Sequence, residues 1–474
     1  MTTHKWSHKA VALLAVAGLS MVGLAACGGD DKGGSDSTGT ASAADAGTDA
    51  GTDAGTDAGT DAGTDAGTDA GSGDVVTLEF WDMAWGPSPA YETAAQQIVA
   101  DFMAEYPNIK VNYTLKSWDN WYQTFAQAIG ANQAPDVSTG GGFQPWGLQQ
   151  DADAILPLDD LVAKWQADGT AAEFGDLLDY YIYDGHYLAI PWQTDIRVWW
   201  YRSDVLEAAG VEPPTTWDEF AEVCQAVHDN NSSIYGVADG GTPHWTFFQG
   251  IAMGAGMFDA EGNAQIGTNE TEVNALKFIA NLGEGGVGCI NPSAVTYSQD
   301  DAIAMFDRGE AAFVMDSPAL PSHLSDSTLE VLGVLDPPAN ANGDHLGLYF
   351  TNGIMGYEST EHPEEVMTFI EYYLLHSRPL FIEGGSSGVP AVASIAADPA
   401  FNDLPFFVEA KEKWEYPVGQ PLYAEASQGF ATLNTIDGDT TMLDLERALF
   451  AGDNVDDAIQ TAQDKVQGFI DDSL

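Results

Sequence analysis

Three side chains that lie close together in the chain, Trp192, Asp195 and Arg197, suit the binding of a molecule with many hydroxyl groups. Asp195 can accept hydrogen bonds, Arg197 can donate them from a rigid guanidinium group, and Trp192 offers a flat apolar face. A simpler interpretation is a buried strand in which Asp195 and Arg197 form an ion pair at the edge of a sheet. These residues alone support both interpretations equally.

Apolar residues flank this polar centre at positions 189–192 and 198–201. The pattern is typical of a strand that leaves one buried sheet, crosses an open cleft and enters another sheet. The sequence therefore predicts that residues 189–204 form a hinge between two parts of the protein.

The first 27 residues have the features of a bacterial export signal. Lys5 and Lys9 precede an apolar run at positions 10–19, and small residues stand directly before Cys27. The run is too short to span a membrane, so we expect a leader, residues 1–26, that is removed after export. The sequence Leu-Ala-Ala-Cys at positions 24–27 matches the bacterial lipobox, which implies a lipid on Cys27. A plain secretory signal with an unmodified cysteine is the alternative.

Residues 27–74 are expected to form a lipidated cysteine followed by a disordered tether. The tether consists almost entirely of Gly, Ser, Thr, Ala and Asp, and Ala-Gly-Thr-Asp occurs six times in succession at positions 46–69. Because the tether has no apolar side chain larger than that of Ala, it cannot bury enough surface to fold. A flexible coil of this length reaches about 40 Å.

The following 400 residues, 75–474, exceed the size of one typical core and predict two lobes. The formal net charge is −57; the leader contributes +2 and the tether −10, which leaves −49 on this body. Such an acidic surface repels phosphate backbones. Nucleic acid is therefore excluded as a partner, and strongly anionic ligands are disfavoured.

Strand and helix patterns alternate through the first part of the body. Strands are predicted at 75–81, 108–113 and 135–137, with helices at 95–106 and 120–129 between them. This alternation predicts a mostly parallel sheet that is covered on both faces. Ligands of such sheets bind beyond the carboxyl ends of the strands.

A second series of strands and helices follows the predicted hinge and is expected to form the second lobe. Its members are strands at 234–238 and 311–315 and helices at 246–253, 270–281 and 299–307. A strand at 346–357 and a helix at 364–376 are then expected to return to the first lobe. The second lobe also contains Cys224 and Cys289, which lie 65 positions apart, and the sequence leaves open whether they form a disulfide.

Enzyme signatures are weak in this sequence. Residues 384–388 fit the nucleophile-elbow pattern, but a helix precedes them, whereas that chemistry needs a strand, a tight turn and a helix. The nine His residues show no metal-binding spacing, and no nucleotide-binding glycine loop is present. A glycoside hydrolase is the competing class, although the sequence singles out no carboxylate pair. We therefore expect no enzymatic activity, no cofactor and no metal site.

Short segments of the body resemble, in the family's order, the solute-binding proteins of bacterial ABC importers, family 1, the group that includes maltose-binding protein. These segments lie at positions 80–81, 106–111, 134–137, 190–201, 214–220, 306–313 and 388–391. The resemblance implies an α/β fold with two lobes, a type II periplasmic-binding-protein-like clamshell. Its lobes are joined by hinge strands and close over a sugar.

The resemblance also implies roles for individual residues. Asp195 falls where the family often places a hinge carboxylate on sugar hydroxyls, and Trp245 falls where an aromatic ring commonly stacks on a pyranose. The other positions that it places in binding loops are Asp82, Trp85, Phe143 and Gln144.

One feature of the family is missing here. After the strand at 311–316 the family often carries an aromatic residue, whereas Ser317-Pro318-Ala319 offers none. One stacking ring is therefore either missing or supplied by Trp146, Tyr349 or Tyr423. The length and linkage of the sugar are left open.

We expect lobe 1 to comprise residues 75–192 and 335–388, and lobe 2 to comprise residues 193–334 and 389–474. The resemblance implies a monomer, anchored through the lipid on Cys27 at the extracellular face of the cell membrane. Its partners would be a carbohydrate ligand and the transmembrane permease of an ABC importer. The alternative within this fold is a non-sugar solute such as a peptide or a polyamine.

Overall fold

The computed structural model describes residues 75–118, 121–240, 244–259, 262–414, 419–421, 433, 435–436 and 439–473. The side chains of residues 151, 244–247, 419–421 and 473 are not described. The predicted leader, Cys27 and the tether lie outside the described residues, as does Tyr423. None of the helices in the described ranges combines the length and the apolar character that a membrane crossing requires.

The described residues alternate between short strands and helices. The strands are β1 (Val76–Met83), β2 (Ile109–Lys116), β3 (Val137–Gly140), β4 (Ile155–Leu156), β5 (Ile182–Tyr183), β6 (His186–Tyr187), β7 (Ile190–Ile196), β8 (Val198–Arg202), β9 (Tyr235–Ala238), β10 (Ala311–Asp316), β11 (Leu332–Val334), β12 (Gly347–Tyr357), β13 (Val389–Pro390) and β14 (Gly419–Pro421). The helices are α1 (Ala90–Glu105), α2 (Trp121–Gly130), α3 (Gln144–Ala152), α4 (Asp159–Asp168), α5 (Ser203–Ala209), α6 (Trp217–Asn230), α7 (His244–Ala252), α8 (Glu270–Leu282), α9 (Gln299–Asp307), α10 (Asp326–Leu329), α11 (Pro363–Leu375), α12 (Arg378–Ile382), α13 (Ala393–Ala396), α14 (Phe407–Trp414), α15 (Thr441–Ala451) and α16 (Val455–Ser473).

The larger sheet has the strand order β13-β7-β12-β3-β1-β2, and β4 and β14 also pair with β12. β1 runs parallel to β2 and β3, as the alternation of strands and helices predicts, whereas β12 runs antiparallel to β3 and β7. Gly353 on β12 pairs with Gly140 at the carboxyl end of β3, and Asn352 pairs with Gln193 on β7. The carboxyl ends of the parallel strands therefore lie at the same edge as the last residues of β7.

The smaller sheet has the strand order β11-β8-β10-β9. Its helix α6 begins after Thr216, whose side chain accepts a hydrogen bond of 3.1 Å from the backbone N–H of Glu219 and so caps the helix. The buried residues Trp217 and Phe220 of this helix pack on Trp199 of β8, with ring centroids 6.2 and 5.0 Å from it. An aromatic core therefore holds the helix on the sheet.

β7 and β8 follow each other directly, and Arg197 alone separates them. β7 belongs to the larger sheet and β8 to the smaller sheet, which confirms that this segment crosses from one sheet to the other. A second crossing lies between β11 in the smaller sheet and β12 in the larger sheet. Two sheets, each with its own helices, form the two lobes of the predicted α/β fold.

The positions at which the chain changes sheets differ from the expected lobe boundaries. The first change falls at Arg197 instead of after residue 192, because residues 193–196 continue β7 and pair with β12. Val389 and Pro390 also pair with β7, although the second lobe was expected to resume at residue 389. The polar side chains of β7 suggested an earlier boundary, but backbone pairing keeps them within the sheet.

Cys224 and Cys289 are both buried and both carry free thiols. The Cys224 side chain contacts that of Cys289, and burial raises the pKa of the Cys224 thiol well above its ordinary value. Gly236 packs against Cys224, and a side chain at position 236 would collide with its sulfur atom. The pair thus belongs to the core of the smaller lobe.

Candidate functional site

Asp195 and Arg197 form an ion pair at the point where the chain passes from one sheet to the other. Arg197 Nη2 donates to Asp195 Oδ2 over 2.9 Å, and Asp195 is only 7% exposed. Asp195 Oδ1 and Arg197 Nε are buried and have no hydrogen-bond partner among the described residues. Buried polar groups are nearly always hydrogen-bonded, so these two atoms have unused capacity to bind a ligand. The ion pair of the simpler interpretation exists, but it does not satisfy both groups.

Burial raises the pKa of Asp195 to about 6, because desolvation disfavours the carboxylate. The guanidinium group of Arg197 acts in the opposite direction, and the carboxylate of Asp316 raises the pKa further. Asp316 is buried at the end of β10, where it accepts hydrogen bonds of 2.6 Å from Gln299 Nε2 and from the backbone N–H of Ser317. Asp316 was not predicted as a site residue, since no pattern in the sequence shows that β10 ends beside the hinge.

The strands that meet at the hinge carry further buried polar atoms. Gln193 lies opposite Asn352, and Thr194 lies opposite Thr351, in the register of β7 and β12. In the part of the chain that the structure describes, Gln193 Nε2, Asn352 Nδ2 and Thr351 Oγ1 have no hydrogen-bond partner, and neither has Trp192 Nε1. Leaving such atoms unsatisfied costs about 1–3 kcal/mol each, so we expect water or a polar ligand to bind them.

Two predicted aromatic faces, Trp85 and Trp192, are buried, with exposures of 4% and 1%. Their rings pack edge to face with centroids 5.3 Å apart, and Phe381 covers Trp192 at 5.6 Å. Trp85 Nε1 also donates to Thr139 Oγ1 over 2.9 Å. Neither ring presents an open face here, so the expectation that Trp192 offers a flat surface to a ligand is not met in this conformation.

Trp118 belongs to the same aromatic cluster, but its side chain is exposed to solvent. It is 37% exposed, its ring packs edge to face on Trp85 at 4.7 Å, and its Nε1 donates to the carbonyl of Ala84 over 2.8 Å. Sequence reasoning missed this residue. Its position two residues after a parallel strand could have indicated it, because ligands bind beyond the carboxyl ends of such strands.

Asp82 lies at the end of β1 and is fully buried. Its Oδ2 accepts hydrogen bonds from the hydroxyls of Tyr91, Tyr113 and Tyr373 at 3.0, 3.2 and 3.1 Å, and its Oδ1 accepts one from Thr139 Oγ1 at 2.6 Å. Burial raises its pKa to about 6, although these hydrogen bonds lower it. The structure therefore places Asp82 in a core hydrogen-bond network instead of a binding loop, because β1 extends to Met83.

Phe143 and Gln144 follow β3, as predicted, and both are buried. Phe143 packs on Trp121 with ring centroids 6.0 Å apart. Both polar atoms of the Gln144 side chain lack a hydrogen-bond partner among the described residues. A side chain at Gly140 would collide with this amide, so the glycine leaves the space that Gln144 occupies. Gln144 therefore has the unused hydrogen-bonding capacity expected of a ligand-binding residue.

Two of the residues expected to supply the missing ring are described. Tyr349 lies on β12 opposite Ile196, next to the hinge, and is partly buried; burial raises its pKa. Trp146 is buried against Tyr180 and Tyr181, with ring centroids 5.3 and 4.9 Å away. Tyr349 thus lies where a ring could contact a ligand, whereas Trp146 is part of the core.

The other two aromatic candidates cannot be placed as side chains. Trp245 is the second residue of α7, which begins two residues earlier than the predicted helix, and its side chain is not described. Tyr423 lies outside the described residues. A ligand contact by Trp245 or Tyr423 stays a prediction.

A cavity of about 400 Å³ lies in the smaller lobe, at the start of β9, and no hinge residue lines it. Polar side chains of its lining bind one another: Arg308 pairs with Glu310 at 2.7 Å, and Asn291 Nδ2 donates to the Tyr297 hydroxyl over 3.1 Å. The hinge, with its unsatisfied buried groups, is the stronger candidate. Over the described ranges, no three His, Cys, Asp or Glu side chains are arranged to hold a metal ion.

The chain matches the family model for bacterial extracellular solute-binding proteins over residues 85–377, more than half of its length. It is similar to a sugar transporter from Arthrobacter chlorophenolicus A6 with bound laminaribiose, at 29% identity and a TM-score of 0.75, over 83% of this chain and 99% of that chain. It is also similar in fold to the maltose-bound MalE3 of T. maritima, at 20% identity and a TM-score of 0.69, with the same coverage of 83% and 99%. An arabinooligosaccharide-binding protein of Halalkalibacterium halodurans is 24% identical over 211 residues, which are 43% of this chain and 45% of that protein.

Proposed function

Because this chain belongs to the family of bacterial extracellular solute-binding proteins, we propose that it binds a sugar or an oligosaccharide between its two lobes and delivers it to an ABC importer. The observation that carries the proposal is the hinge, where buried hydrogen-bonding groups of Asp195 and Arg197 lack partners among the described residues. The likeness to a sugar transporter with bound laminaribiose supports a saccharide as the solute.

A saccharide has the two kinds of surface that this hinge can contact. Its hydroxyl groups can donate to Asp195 Oδ1 and accept from Arg197 Nε, and the apolar face of its ring can pack on an aromatic side chain. Trp118 supplies such a side chain in the larger lobe, and a contact by Trp245 stays a prediction. Because one ligand touches both lobes only when they are closed, binding favours the closed state.

The proposal places the protein outside the cytoplasmic membrane, tethered near its transporter. Support comes from the lipobox before Cys27 and from the acidic tether of residues 28–74. The partners are the saccharide and the transmembrane permease, and the protein acts as a monomer. It releases its ligand unchanged, in keeping with a family of binding proteins.

A thermal-shift screen of the mature protein tests the proposal. The panel contains laminaribiose, maltose and arabinooligosaccharides, with a tripeptide and spermidine as representatives of other solutes. A ligand at 100 times its dissociation constant should stabilise the folded protein by about 2.7 kcal/mol. Stabilisation by the peptide or the polyamine, with none by any saccharide, would overturn the assignment. Chromatography of the recovered sugar should show no cleavage, and products would point to a hydrolase instead.

A further inference from the structure

We propose that Asp316, acting with Asp195 and Arg197, makes the hinge site select uncharged saccharides over acidic ones such as uronates. This inference rests on the proposed function, since it assumes that a saccharide binds at the hinge. It assigns a specificity-determining role to Asp316, which lies in the smaller lobe.

The geometry holds the Asp316 carboxylate beside the hinge pair. Asp316 is the last residue of β10 and pairs with Val198, the residue that directly follows Arg197. Gln299 Nε2 and the backbone N–H of Ser317 each donate to one of its oxygens over 2.6 Å, so both oxygens are held in place. The side chain is buried, and its charge acts on the carboxylate of Asp195.

The hinge cluster therefore contains two carboxylates and one guanidinium group, with a net negative charge. Arg197 Nη2 is already bound to Asp195 Oδ2. An acidic saccharide that accepts from the free Nε of Arg197 would place a third carboxylate beside Asp195 and Asp316, in a buried cluster that holds only one cation. A neutral saccharide brings no further charge, and its hydroxyl can donate to the unpartnered Asp195 Oδ1.

The local cluster must be distinguished from the overall acidity of the protein, which also disfavours anions. Salt separates the two effects. Repulsion by the distributed charge is screened over a Debye length of about 10 Å at 0.1 M salt and about 4 Å at 0.5 M, whereas buried groups are screened much less. Discrimination by the hinge should therefore persist at high salt.

The test measures dissociation constants by calorimetry for matched disaccharides at pH 7.5, in 0.1 M and 0.5 M NaCl. The neutral members of the three pairs are laminaribiose, maltose and xylobiose. The acidic member of each pair is the same disaccharide with one sugar unit replaced by a glucuronate. We expect the full-length protein to bind the best neutral disaccharide at least 30-fold more tightly than its acidic counterpart at both salt concentrations. Asp316→Asn should reduce this ratio at least tenfold.

The matched control is Asp326→Asn, which makes the same change in net charge at an exposed position in α10. This variant should leave the ratio unchanged. Equal affinity for the two members of a pair would overturn the inference while leaving the proposed function intact. So would a ratio of neutral to acidic affinity that falls to one in 0.5 M NaCl. Should Asp316→Asn fail to fold, the salt series on the unmodified protein still decides the question. Failure of every saccharide, neutral and acidic, to bind would instead refute the proposed function itself.

Discussion

Burial raises the pKa of both Asp82 and Asp195 to about 6, but the hydrogen bonds of the two residues differ. Four hydroxyl groups donate to Asp82, and they occupy both of its oxygens. Asp195 has one guanidinium partner, and one of its oxygens has no partner among the described residues. A carboxylate whose oxygens are occupied stabilises the fold, whereas one with an unoccupied oxygen can bind a ligand. We therefore propose a structural role for Asp82 and a binding role for Asp195.

The first prediction concerns Asp195→Ala, which should weaken saccharide binding about 10- to 150-fold, because a charge-assisted hydrogen bond contributes about 1.5–3 kcal/mol. The matched control is Asp204→Ala, since Asp204 pairs with Arg202 at 2.8 Å and with the same spacing of two residues. The control should leave the affinity unchanged. Calorimetry checks both values, and a folded Asp195→Ala protein with undiminished affinity would place the ligand elsewhere.

The raised pKa of Asp195 predicts a dependence of affinity on pH. With a folded-state pKa of about 6, Asp195 is mostly ionised at pH 7 and mostly protonated at pH 5. A saccharide hydroxyl donates to the ionised form, so affinity should be constant above about pH 7 and should fall as the pH drops through 6. The measurement is calorimetry from pH 5 to pH 8 at constant ionic strength. Asp195→Asn should flatten this profile, and a flat profile for the unmodified protein would contradict the prediction.

Trp118 is the exposed ring of an otherwise buried aromatic cluster, so it should contribute to ligand binding more than to folding. We expect Trp118→Ala to weaken saccharide binding about 2- to 12-fold, because aromatic packing contributes about 0.5–1.5 kcal/mol beyond the burial of area. Ile182→Ala removes another large exposed apolar side chain and should have no effect on affinity. Equal effects of the two substitutions would indicate a general loss of stability.

At the scale of elements, helix α8 shows how packing can override a local preference. Glu272 lies in its first turn, where an ionised acid normally stabilises the helix N-terminus. Here the side chain is buried against α7, and a side chain at Gly250 would collide with its carboxyl group. Burial raises the pKa of Glu272 to about 8, so this acid is mostly protonated at neutral pH.

As the pH rises from 5 to 8, the unmodified protein should therefore lose stability that the Glu272→Gln variant keeps. The folded-state pKa of Glu272 lies above the ordinary value of 4.5. Protonated Glu272 therefore contributes its full stability to the unmodified protein below about pH 4.5, and this contribution is lost as the pH rises towards 8. The difference in the free energy of unfolding should grow by about 1.4 kcal/mol per pH unit and should level off above pH 8. Urea unfolding at four pH values measures it. Glu270→Gln, an exposed change in the same helix turn, should show no such trend.

In the described part of the chain, the two larger sheets are connected by consecutive strands at Arg197 and by a second crossing before β12. Arg197 is the single residue between β7 and β8, so this connection can act as a hinge. Residues 193–196 of β7 pair with β12, and Val198 of β8 pairs with Asp316 of β10, which connects each side of Arg197 to a different sheet. A change in the backbone angles at Arg197 would therefore move one sheet relative to the other.

A saccharide that touches both lobes should compact the molecule. Small-angle X-ray scattering of residues 75–474 should show a smaller radius of gyration at saturating ligand, because binding favours the closed state. Asp195→Ala at the same ligand concentration should show a smaller change. A radius of gyration that stays constant on addition of a ligand with measured affinity would count against closure.

The sequence by itself determined the hinge and the order of elements. The apolar residues on both sides of Asp195 and Arg197 require burial, so they predicted two sheet strands separated by a crossing, as β7 and β8 are. The alternation of strand and helix periodicity likewise predicted the parallel part of the larger sheet. Both are local properties, because side-chain periodicity is set by the backbone geometry of neighbouring residues.

Only the tertiary structure decided which polar and aromatic side chains are free to bind. Asp82 looked like a loop residue, but its partner Tyr373 is 291 positions away, and only folding brings that hydroxyl to 3.1 Å. Trp192 is covered by Phe381, and Asp316 reaches the hinge through the pairing of β10 with β8. Such contacts depend on elements that are distant in sequence, and burial and hydrogen-bond partners follow from them, so no local pattern could distinguish Asp82 from Asp195 or Trp192 from Trp118.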